Sequence, residues 1–378
     1  MRPSSRGPGP FPRLLHRKGT AMTRRIRRLH RALVPAALAL ATLLMPSTAV
    51  AGPVTPHTAG AGAATAHAAL PDLITGSGQA IHPEGVVWDP TRSAFLIGSI
   101  RYGTVSVVGG DGTPRTLIDD PELIATGGIR VDVPRNRLLV TYDDVYAGPD
   151  ALLSVGSTPE TRGRHAGLAV YDLRTGKLKR RIDLGAAPGL HLANDIALDP
   201  RGNAYVTDSF SGHIFKVTPE GRASTFLYDP ALDAGADENG LPNVGVNGIV
   251  YHPDGYLLVV RYDTGALFRV PLDRPDDVRE VDLEQRIPGA DGMALASDGT
   301  LWAATNTIRS DGIDGVFRLA SDDGWNTGRT VSVQESPEAA PTTVAVTPSG
   351  DYVLSSNLNV LFGSGGAQTR DGFVLRRY

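Results

Sequence analysis

Two carboxylates and two carboxamides, Glu84, Asp291, Asn194 and Asn247, stand at the same step of a pattern that recurs six times along the chain. The copies read Glu84-Gly-Val-Val-Trp-Asp, Gly127-Gly-Ile-Arg-Val-Asp, Asn194-Asp-Ile-Ala-Leu-Asp, Asn247-Gly-Ile-Val-Tyr-His, Asp291-Gly-Met-Ala-Leu-Ala and Thr342-Thr-Val-Ala-Val-Thr. An all-oxygen set of this kind suits a hard cation, calcium first, with magnesium or manganese as alternatives. Two carboxylates balance a divalent charge, and four protein ligands leave coordination positions for water or a substrate oxygen. An ion held this way can polarise a carbonyl and lower the pKa of a bound water. Taken singly, Asn-Gly and Asp-Gly are ordinary hairpin signals. Glu84, which is no turn former, occupies the same step and makes the set a metal-site expectation.

The four ligands can meet only if the repeats are arranged around an axis. Each copy is followed by a turn and a second apolar run, as in Ala204-Tyr-Val-Thr and Leu301-Trp-Ala-Ala. The turns are rich in Asp, Pro and Gly, which supply the dihedrals a reversal needs. Third runs such as Gly212-His-Ile-Phe-Lys-Val follow. Strand-like repeats at spacings of 43 to 67 residues predict an all-β chain, a six-bladed β-propeller with four-stranded blades. The last copy ends on its third strand, Phe373-Val-Leu-Arg-Arg, and Asp72-Leu-Ile-Thr is free to supply the fourth. N- and C-terminal strands sharing one blade would remove two exposed edges. The segment 147–164 lengthens one repeat and reads as an inserted loop over one face.

The second strands run back toward the face where the ligands begin. This gathers Arg101, Asp143, Asp144, Asp208, Ser209, Tyr262, Asp263, Asn306 and Asn357 at one rim. Of these, Asp208, Asp263 and Arg101 are the candidates for substrate binding. For proton transfer the candidates are Asp291 itself and His191, three residues before Asn194; His82, two before Glu84, is a weaker case. No Gly-x-Ser-x-Gly elbow is present, which speaks against a covalent serine mechanism.

Composition sets the surroundings. The first 51 residues hold ten of the 37 basic residues and none of the 40 acidic ones, then an apolar run and Ala49-Val50-Ala51. This reads as a secretory signal peptide cleaved after Ala51, its start possible at Met22, by plain or twin-arginine export. Residues 52–71, rich in Ala, Gly, Pro and Thr, read as a flexible linker, and 72–378 as the propeller. The expected location is extracellular, with no membrane anchor, because the apolar run is shorter than a bilayer span. Without the leader the net charge is −13, which argues against nucleic acid as a partner and suits a soluble extracellular protein able to hold a cation. The expected partner is a small-molecule substrate. Oligomeric state is left open. The chain has no cysteine, so disulfides, thiol catalysis and zinc–thiolate sites are excluded.

At the quoted motifs, over about residues 80–360, the chain resembles the senescence marker protein/gluconolactonase family of six-bladed propellers, which are related to paraoxonase and strictosidine-synthase-like propellers. The resemblance implies that Glu84, Asn194, Asn247 and Asp291 hold a calcium or zinc ion. It further implies hydrolysis of lactones or related esters, with Asp291 helping to activate water. Sugar-lactone members carry an arginine two residues before the third-blade asparagine; Leu192 stands there and points to a less polar substrate. Paraoxonases place a catalytic histidine at the second-blade step, where this chain has Gly127. Two other readings follow from the same residues: a non-catalytic ligand-binding propeller with a structural ion, and a strictosidine-synthase-like condensation enzyme.

Overall fold

The computed structural model describes residues 70–378. The expected signal peptide (1–51) and all but the end of the expected linker lie outside the described residues. From Leu73 onward the chain forms six antiparallel sheets set in sequence order, the blades of a propeller. Blade 1 runs Val86–Asp89, Ala94–Ile97, Val105–Val108, Pro114–Ile118; blade 2 runs Ala125–Asp132, Arg137–Asp143, Ala166–Asp172, Leu178–Asp183. Blade 3 comprises Ala193–Leu198, Ala204–Asp208, His213–Val217 and Ala223–Tyr228, and blade 4 Val246–His252, Tyr256–Arg261, Ala266–Pro271 and Arg279–Glu280. Blade 5 holds Ala290–Leu295, Leu301–Thr305, Gly315–Ala320 and Thr327–Glu335, with Asp282–Leu283 added in parallel at its outer edge.

Blade 6 carries the closure. Pro341–Thr347, Gly350–Ser355 and Phe373–Arg377 are completed by the N-terminal strand Leu73–Gly76, with Leu73 opposite Arg376 and Gly76 opposite Phe373. Ile74 is 1% exposed on that strand, so the first strand is tied in by core contacts as well as by its ladder. Phe95 of blade 1 meets Tyr352 of blade 6 edge to face at 5.2 Å, sealing the junction between first and last blades.

The alternating apolar residues of the sequence pack between neighbouring blades, as Ile249, Leu257 and Val259 do against Tyr205 and Ile214. The innermost strands of blades 2 to 6 each carry a register shift: between Thr126 and Ile129, Ala193 and Ile196, Val246 and Ile249, Ala290 and Met293, and Pro341 and Thr343. These shifts fall on the repeated step itself. A bulge frees a residue from strict alternation and re-aims its side chain, and here it turns the slot residues toward the central channel.

One short helix, α1 (Leu358–Gly363), follows the second strand of blade 6. The strand periodicity gave no sign of it. The insertion 147–164 is tied to α1's exit by Leu152 N donating to Gly365 O at 3.0 Å, and to blade 1 by Val155 N donating to Arg101 O at 2.9 Å.

Candidate metal and substrate site

The slot residues converge. Glu84, Gly127, Asn194, Asn247 and Asp291 line one cavity in the channel. Their backbones are pinned by the neighbouring blades: Thr141 Oγ1 donates to Asn194 O at 2.5 Å, Thr207 Oγ1 to Asn247 O at 2.8 Å, and Thr342 Oγ1 to Glu84 O at 2.7 Å. The glycines after Glu84 and Asn247 do not serve hairpins. A Cβ on Gly85 would lie 2.2 Å from Gly127 O, and one on Gly248 2.2 Å from Asp291 O. Only glycine lets the inner strands approach this closely around the axis.

A second polar layer comes from the strands that return to this face. Asn306 donates from Nδ2 to Asp291 Oδ2 at 2.8 Å and to Pro341 O at 3.0 Å, while Tyr262 OH donates to Asn306 Oδ1 at 2.6 Å. Asp143 also lines the cavity and is 1% exposed. It enters beside Gly127, the one slot in the set that has no side chain. Asp143, Asn306 and Tyr262 belonged to the rim expected from the second strands, so the signal for them was present in the register.

Buried oxygens here lack partners. Glu84 Oε2, Asp143 Oδ1, Asn194 Oδ1 and Asn247 Oδ1 accept no hydrogen bond, a costly arrangement in a cavity where nearly every buried acceptor is normally satisfied. Burial drives the Glu84 carboxyl well above its ordinary range, and the neighbouring Asp291, Asp195 and Asp143 push the same way. Burial lifts Asp291 to about 7, against the pull of the Asn306 and Asn247 amides. Asp143 is raised by burial, then by Asp144. Acceptors without donors and carboxyls that resist ionising are what a cation would correct. The donor set is entirely oxygen and no histidine is among the cavity's lining residues, which fits calcium or magnesium better than zinc. Among the described residues no group of three or more His, Cys, Asp or Glu is placed to hold a metal; half of this set is amide.

A family model, SMP-30/gluconolactonase/LRE-like region, matches residues 82–350. The chain belongs to this family. Among solved structures, similarity extends to the Malassezia sympodialis allergen Mala s 1 (18% identity, 82% of this chain and 96% of that one, TM-score 0.61). A calcium-binding protein, regucalcin, from Agrobacterium tumefaciens shares 19% identity over 82% of this chain and 92% of its own, with TM-score 0.54. A gluconolactonase from Xanthomonas campestris shares 16% over 81% and 89%, with TM-score 0.53. At these identities the likeness is one of fold. Core trichothecene cluster protein 14 of Fusarium sporotrichioides is 25% identical over 199 residues, 49% of this chain; the chain spans 46% of that relative's length.

The other candidate residues of this family member stand outside the cavity lining. His191 is 3% exposed and holds both ring nitrogens in bonds: Nδ1 lies 2.6 Å from Asp208 Oδ2 and Nε2 2.9 Å from Ala187 O. A carbonyl only accepts, so Nε2 bears a proton, and the Asp208 bond raises the ring's pKa. Asp208 also accepts from Leu192 N at 2.8 Å and Ser211 Oγ at 2.6 Å; the pair fixes the entry to the Asn194 strand. Asp263 is paired with Arg261 at 2.7 Å. Arg101 donates to Leu153 O at 2.9 Å and so anchors the insertion. His82 accepts at Nε2 from Arg370 N at 3.2 Å, with Nδ1 3.1 Å from Ser356 O. Nδ1 keeps its proton and donates to that carbonyl, so the ring is neutral and ties blade 1 to the loop after α1.

Proposed function

We propose that this protein is an exported, metal-dependent hydrolase of lactones or related esters. The observation that carries the reading is the group of partnerless buried oxygens, Glu84 Oε2, Asn194 Oδ1 and Asn247 Oδ1, around Asp291 in one cavity; family membership supports the reaction class. Glu84, Asn194, Asn247 and Asp291 would hold the ion, with Asp143 beside them. The chemistry a bound divalent ion supplies is polarisation of a carbonyl and stabilisation of the negative charge that develops on its oxygen.

The remaining work falls to the chain itself. Asn306 holds Asp291 by Oδ2 and is itself held by Tyr262 and Pro341, so the carboxylate keeps one orientation and leaves Oδ1 for proton transfer. Asp291 takes a proton at Oδ1 from the water that attacks the carbonyl. It returns that proton to the alkoxide released when the ring C–O bond breaks, so a lactone plus water becomes a hydroxy acid. Ile100, Leu192, Phe210 and Leu358, which also line the cavity, keep bulk water away from the charged intermediate.

The test is turnover of a panel of aliphatic and sugar lactones by purified protein supplied with calcium, alongside Asp291→Ala. Wild-type turnover reduced by at least about 10²-fold in the variant, with unchanged folding by circular dichroism, is expected. Wild-type activity retained in Asp291→Ala contradicts the mechanism. Export is checked separately by fractionation of expressing cells. Mature protein in the medium beginning near Gly52 is expected, and protein confined to the cytoplasm with its leader intact contradicts it.

A further inference from the structure

Above the polar floor the cavity changes character. In five blades the second strand is followed, two or three residues beyond its end, by an apolar side chain that lines the cavity: Ile100, Val145, Phe210, Ile308 and Leu358. Leu192 adds to the wall from the entry of the Asn194 strand, and Phe362 closes it from α1. Ile100, Phe210, Leu192 and Leu358 are 3%, 8%, 8% and 2% exposed and pack into one cluster with Val145 and Leu153. Leu153 sits in the insertion 147–164, so the insertion backs the apolar ceiling. Arg309, the basic residue among the described lining, is only half-buried; with Phe362 it also borders a neighbouring depression at the surface.

We propose that the substrate taken here carries an apolar substituent of several carbons beside the scissile carbonyl, in place of a polyhydroxylated ring. The inference rests on the hydrolase reading for the bond that is cleaved; the apolar enclosure is a separate fact of the walls. The carboxylates and amides lie on the floor, where the carbonyl must sit. The walls above it are mostly apolar, with Arg309 at the mouth as their one charged donor among the described lining, too few partners for a ring of hydroxyls. Each hydroxyl turned toward them without a partner weakens binding by roughly tenfold. Each methylene buried there strengthens it about three- to fourfold until the space is filled.

The experiment measures kcat/KM of the calcium-supplied protein on δ-lactones bearing unbranched alkyl chains of increasing length and on glucono-δ-lactone, together with Phe362→Ala. Binding of the matching alkyl δ-lactams, which resist hydrolysis, is followed in parallel by calorimetry. A rise in kcat/KM with chain length at about the stated factor, a flatter rise in Phe362→Ala, and glucono-δ-lactone far below the alkyl series are expected. Glucono-δ-lactone equal to or better than the alkyl lactones overturns the inference and leaves the hydrolase reading intact. If no lactone is turned over, rising lactam affinity upholds the apolar site and sinks only the hydrolase reading; lactam affinity indifferent to length sinks the apolar site itself.

Discussion

Asp291 is the side chain on which the account bears hardest, and its environment makes a pH-dependent statement. In protein stripped of divalent ions, burial lifts its pKa from an ordinary 3.8 to about 7. Below 3.8 the carboxyl is protonated in folded and unfolded chains alike. Between there and 7 only the folded chain keeps the proton, so stability falls as pH rises, and above 7 the loss is complete. Glu84 is pushed in the same direction and adds to it. Melting curves of chelated protein from pH 4 to 8 should therefore decline by on the order of a few kcal/mol, and excess calcium should flatten the decline. Parallel curves with and without calcium contradict this picture. The convergence of Glu84, Asn194, Asn247 and Asp291 on one cavity was legible in sequence because a repeat places equivalent residues in equivalent positions. His191, Asp208, Asp263 and Arg101 stand outside the cavity lining: register brings a residue to the rim, while its hydrogen bonds decide which way it faces.

Inner strands, with their bulges and the glycines that follow the slot, are the elements that build the floor. Gly248 has no room for a side chain, because the next blade's Asp291 O stands where the Cβ would go. Gly248→Ala should cost about 2 kcal/mol in denaturant unfolding and weaken calcium binding at the same time, since relief of the clash moves Asp291. A variant with unchanged stability and unchanged calcium affinity contradicts the close-approach role. In sequence the Asn-Gly and Asp-Gly pairs resemble hairpin signals; their true reason lies between blades and is invisible to a local reading. The short helix α1 was hidden for the opposite cause. Six residues are too few to show a helical period, and Asn357 enters it in the left-handed conformation, at φ 56°. Yet α1 supplies Leu358 and Phe362, and with them much of the ceiling.

At the scale of the molecule, ring closure converts six weakly similar repeats into one site. Glu84, Asn194, Asn247 and Asp291, spread over blades 1, 3, 4 and 5, can meet in one cavity only if the ring is held shut, and the strand Leu73–Gly76 against Phe373–Arg377 holds it. This much was legible in the spacing of the repeats and in the missing fourth strand of the last one. The cavity's contents were less so, because Leu192, Phe362 of α1 and the insertion behind Leu153 add to its ceiling outside any repeat. Glu84, Asn194, Asn247 and Asp291 are proposed to hold a divalent cation between them, and metal content tests this most directly. Elemental analysis of purified protein, with calcium titration of chelated wild type and of Glu84→Gln, should give about one calcium per chain. It should also give a loss of affinity of about 10²-fold or more in the variant. Wild-type protein that binds no divalent ion, or a Glu84→Gln variant that binds as tightly, would contradict the account.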